Sequence, residues 1–145
     1  MQTEQIHKTL AFQLKNARNG LLRLHKILLD QERDNYERER GKINSTGEFL
    51  NLVVNDKQFE WLRVMSGLIV DVDEAFAAKQ PLDTIQIHDL ARKINKLFVV
   101  DETEFSIKYL NVLKTSQTAR IEESEIRKYL DAMNFGDFEN YGDNN

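Results

Sequence analysis

Cysteine is absent from this chain of 145 residues, which excludes disulfides, thiolate nucleophiles and cysteine-based metal sites. Proline occurs once and glycine six times, so long regular elements with little linker are expected. Three histidines are too few for a histidine-rich metal bundle. No apolar run reaches the roughly 18 residues that a membrane span needs. The opening MQTEQIHKTLAFQLKN lacks a basic segment followed by a sustained apolar stretch, so no secretory signal is expected either. An excess of base is missing as well. The formal net charge is −4, from 20 Lys+Arg against 24 Asp+Glu, and that leaves no electrostatic footprint for nucleic acid. Asp137, Glu139 and Asp143 with no base among them make residues 137–145 an acidic tail, expected to be disordered, and leave residues 1–136 near neutrality as one domain.

What is present is helical periodicity. Leu10, Leu14, Ala17, Leu21, Leu24 and Leu28 step by four and three, a heptad seam within a first helix over about Thr3 to Arg40. Such a helix is roughly 55 Å long, with Asn19-Gly20 its weak point and Gly41 its stop. Ser45 and Glu48 form a capping-box signature for a short helix to about Val54. Asp56 then opens a central helix that lasts to about Lys79, where Pro81 forbids continuation. Asp83 or Thr84 starts another, with Ile87, Ala91, Ile94 and Phe98 on one face. Asp101 to Glu104 starts the last, read as one helix to about Asn134 and closed by Gly136, although its middle from Thr115 to Arg120 is weakly apolar. No alternating strand pattern competes. The expected fold is all-α, an antiparallel bundle of four main helices plus a short cross-helix.

The central stretch FEWLRVMSGLIVDVDEAF is apolar on nearly every side, yet sets Ser66 and Asp73 within the stripe Phe59, Leu62, Ile69, Phe76. A carboxylate on an inner face needs a partner there. Its plainer reading is a cap or an ion pair with an Arg of a neighbouring helix; the functional reading is a ligand- or metal-binding acid. Companions lie on a second stripe of the first helix: Arg18, Leu22, His25, Leu29, Glu32 and Tyr36. The candidate polar cluster is therefore His25, Glu32, Arg33, Tyr36, Arg63 and Asp73, with Arg63 the preferred counter-ion for Glu32 or Asp73 and Gly67 a place where another backbone could approach. Arg33 and Glu37 have the spacing of an intrahelical ion pair. Trp61 is a candidate interface residue, although a single Trp also serves as core.

No glycine-rich phosphate loop, nucleophile elbow or HExxH motif occurs. The one Glu-x-x-His match, Glu4 to His7, falls short of the two that a carboxylate-bridged metal bundle needs. No catalytic residue, metal or cofactor is therefore expected.

The pattern Leu24-His25, Glu32-Arg33, Tyr36-Glu37, Phe59 to Arg63 and Asp73-Glu74 resembles an uncharacterised family of small bacterial all-helical proteins, over about half the chain. Similar sequences carry Pro after the Arg, where this chain has Val64. The resemblance implies a helical fold and brings no activity or functional residue with it. The expectation is a non-catalytic cytoplasmic protein acting through protein–protein contacts as a homodimer, binding neither nucleic acid nor membrane. The alternative is a small-ligand or metal-binding bundle centred on Asp73.

Overall fold

In a computed structural model, which describes residues 2–133, the chain is all-helical. The described elements are α1 (Gln2–Arg40), α2 (Thr46–Asn55), a 3₁₀ segment (Lys57–Leu62), α3 (Arg63–Ala77), α4 (Thr84–Leu97), α5 (Glu104–Thr115) and α6 (Gln117–Asp131). The expected tail at 137–145 and the stop at Gly136 lie outside the described residues.

α1 is the spine. Its 39 residues extend about 58 Å, and its heptad seam from Leu10 to Leu28 is buried throughout. Asp56 to Leu82 runs back along it: Arg40 meets Asp56, Arg18 meets Asp73, and the His7 imidazole bonds the Leu82 carbonyl. α6 also runs antiparallel to α1, since Gly20 faces Ile126 and Arg23 pairs with Glu122 at 3.0 Å. Asn19-Gly20 does not break the helix. Gly20 is instead the point of closest approach, because a Cβ there would stand 2.6 Å from Ile126 Cγ1. The stop at Gly41 is real, with φ at +92°, a conformation that only glycine adopts without strain.

Local capping sets most boundaries. Ser45 accepts from the Glu48 amide at 3.1 Å, while the Glu48 carboxylate reaches the Asn44 amide rather than that of Ser45. Asp56 accepts from Gln58, and Asp83 with Gln86 completes a reciprocal box. Two expectations are corrected. The segment from Asp56 to Lys79 is not one α-helix, because Lys57–Leu62 winds as 3₁₀ after the Asp56 cap. The segment from Glu104 onward is two helices. Ser116 takes extended backbone and accepts from the Ala119 amide at 3.1 Å, so it caps a new helix in the weakly apolar stretch. The chain folds back there, for the Tyr109 hydroxyl donates to Glu123 at 2.9 Å. In one straight helix those residues would stand about 21 Å apart.

Two aromatic groups close the core. Tyr36 and Phe49 pack on the fully buried Phe59, joining α1, α2 and the 3₁₀ segment. Trp61, Phe105, Tyr109 and Phe98 form a chain with ring centroids 5.4 to 5.8 Å apart, tying that segment to α5 and the end of α4. Among the described residues no helix is long and apolar enough to cross a membrane.

Candidate functional site

Asp73 does not lie on the inner face of α3. Met65, Leu68, Ile69 and Val72 are buried there, whereas the Asp73 side chain is 45% exposed and Phe76 is 38% exposed. The reason is register. With 3.6 residues per turn the buried stripe passes through Val72, so Asp73 falls one residue around the helix. Its partner is Arg18, through two parallel bonds at 2.7 and 2.9 Å. Arg63 is exposed and takes no part in this pair, and Gly67 has no atom within 4 Å of where its Cβ would be. Arg18 shares the stripe of His25 and Glu32. The antiparallel course of α3 along α1 was the signal that could have favoured it over Arg63.

The candidate cluster divides along α1. Arg18 and Glu32 are fourteen residues apart on one straight helix, about 21 Å, so Asp73 and Glu32 belong to different regions. His25 lies between them, half-buried, and the loss of water around its imidazole lowers its pKa. At the far end Arg33 pairs with Glu37 at 3.4 Å and places its guanidinium 4.8 Å from the Phe49 ring. Arg40 lies over Tyr36 at 5.2 Å. The Arg33–Phe49 contact fastens α2 to the end of α1, as Tyr36 on Phe59 does the 3₁₀ segment.

Two concave regions meet at Trp61. The larger, of ≈ 700 Å³, lies between α3, α4 and α5. Trp61, Val64, Leu68, Leu97 and Phe105 give it an apolar floor, and its rim carries both signs, with Arg63, Lys93 and Lys96 facing Glu60, Asp71, Asp101 and Glu104. Val64 is 53% exposed, and Val99 and Val100 are exposed in the loop after α4. Trp61 itself is 4% exposed, so it supports this groove from below. The smaller, of ≈ 240 Å³, lies between α1, the 3₁₀ segment and α5 and is lined mainly by polar groups, Glu32 among them. Among the described residues no three His, Asp or Glu side chains are placed to hold a metal ion.

The chain matches no protein-family model, no curated protein and no solved structure. The resemblance to bacterial helical proteins therefore assigns nothing to either region, and the functional reading follows from the two surfaces and their chemistry. The groove residues on α4 and α5 were not among the sequence candidates. They stand on two helices whose adjacency to α3 only the folded chain supplies.

Proposed function

We propose that this is a non-catalytic, cytoplasmic protein, an antiparallel helical bundle that acts through protein–protein contact, with a second copy of itself as the first partner. The observation that carries this reading is the groove between α3, α4 and α5. An apolar floor with aromatic support and a polar rim is the anatomy of a contact surface. The rim's mixed charge favours a second copy over an unlike partner of single sign. In a two-fold contact each residue meets the other copy's surface, so a rim holding both acids and bases can complement itself. Lys93 and Glu104 already have intrahelical partners, Asp89 and Lys108. Arg63, Lys96, Glu60, Asp71 and Asp101 supply the remaining charges.

Light scattering on the size-exclusion peak tests this. The wild-type chain is expected to elute with the mass of two chains at high micromolar concentration. Val64→Glu, at an exposed position whose change leaves the core intact, is expected to give one. A strict monomer in the wild type would defeat the proposal.

A further inference from the structure

No residue of α2 is buried, unlike every other described helix, although Phe49, Leu50, Leu52, Val53 and Val54 make half of it apolar. Phe49, Leu52 and Val53 turn inward and pack against the core. Gly47, Leu50, Asn51 and Val54 form the opposite face and are all exposed, Leu50 by 58% and Val54 by 65%. Their steps of three, four and seven residues from Gly47 are those of a helix laid into an apolar groove. The face carries no charge. Glu48 is the one ionisable residue of α2, and its carboxylate is bonded to the Asn44 amide. Phe12 and Ile121, by contrast, are exposed beside charge, one turn from Lys8 and Lys15 and from Glu125.

The concave counterpart of this face is the groove between α3, α4 and α5, where Val64 is exposed. To enter its own groove α2 would have to lift Phe49 off Phe59, because only Asp56 links it to the 3₁₀ segment. We propose that α2 of one copy seats Leu50 and Val54 in the groove of a second copy, and that the second copy reciprocates. The inference rests on the self-association proposed above and names the segment that fills the groove. Charge agrees with it. Once the intrahelical pairs of Lys93 and Glu104 are set aside, Glu60, Asp71 and Asp101 outnumber Arg63 and Lys96 on the rim. Lys42 and Lys57, exposed just beyond the two ends of α2, bring base to that acid. Reciprocity follows from position: Phe59 beneath α2 and Val64 in the groove are close in the chain, so one two-fold axis beside the 3₁₀ segment can seat both contacts. Each copy then gives both a helix and a groove, toward the roughly 800 Å² per partner of a stable dimer.

A charge exchange tests this, read by light scattering on the size-exclusion peak of the full chain at high micromolar concentration. Val54→Lys, at an exposed position, is expected to weaken self-association by about tenfold or more, because its ammonium would enter an apolar floor unpaired. Val64→Glu acts likewise from the groove side. Circular dichroism melts establish that both variants are folded. Mixed in equal amounts, the two are expected to recover the mass of two chains. One contact of the mixed pair is then wild type, and the other sets the new ammonium against the new carboxylate. A Val54→Lys chain that pairs like the wild type would overturn the inference, and with a monomeric Val64→Glu would leave the groove contact itself standing. Two monomeric variants whose mixture stays monomeric would overturn it as well. A monomeric wild type would defeat self-association, and this inference with it.

Discussion

The guanidinium of Arg18 and the carboxylate of Asp73 form a two-pronged contact at 2.7 and 2.9 Å, with the Asp73 side chain 45% exposed and that of Arg18 26% exposed. Bidentate geometry raises the worth of such a pair, and its contact with water lowers it. Asp73→Asn is accordingly expected to cost about 1 kcal/mol in urea denaturation. Arg63→Ala should stay within about 0.5 kcal/mol, the range of an uninvolved surface site. Equal costs at the two positions would contradict this placement. His25 gives a pH signature. Burial depresses its pKa below the ordinary 6.5, so below that pH the unfolded chain binds more protons than the folded one. Its contribution is complete above pH 6.5 and is lost as the pH falls through the depressed value. His25→Gln should therefore show a smaller drop in melting temperature between about pH 7.5 and pH 5.5 than the wild type. An unchanged difference would exclude His25 as a source of acid sensitivity.

At the scale of elements, the contact between α1 and α6 turns on one missing methyl group. Placing Ala within a helix normally gains about 1 kcal/mol over Gly. At position 20 the added Cβ would meet Ile126 Cγ1 at 2.6 Å, and Ile126 is fully buried. Overpacking of this kind costs about 1–3 kcal/mol, so Gly20→Ala is expected to destabilise the wild type by about 1 kcal/mol. In an Ile126→Ala background the same substitution should stabilise, and a double-mutant cycle reads the coupling. A stabilising Gly20→Ala in the wild type would show that the helices are not in contact there. The sequence presents Gly20 as a propensity defect, because propensity is local and the facing helix is a hundred residues away. Ser116 was obscured differently. Apolar steps of four and three continue across it, and periodicity alone does not record that a capping serine resets the chain direction.

For the whole molecule, the all-helical class and the α1 seam were legible because both follow from repeats within one element. Leu14, Leu21, Leu24 and Leu28 are buried without exposed surface, as their spacing requires. The grouping of candidate residues was less legible. His25, Glu32, Arg33 and Tyr36 share a helix, but which part of the returning chain meets each depends on tertiary register. Arg63 and Asp73 thus separate from Glu32, while Trp61, Lys108 and Asn111 join it from 3₁₀ and α5 positions. The proposed self-association through the α3–α4–α5 groove has a readout at this scale too. The melting midpoint should rise with protein concentration in the wild type and stay constant in Val64→Glu.

The spine has a temporal side. α1 is synthesised before anything it packs on, and α6, which covers the seam around Ala17 to Leu24, is made more than ninety residues later. A helix draws most of its stability from a covered apolar face, and although the segment from Asp56 to Leu82 returns along α1 earlier, the cover of the rod is incomplete until Ile126 and Leu130 have emerged. Completion of this core is therefore gated by the synthesis of α6, and in that interval its longest element depends on whatever holds unfinished chains apart in the cell.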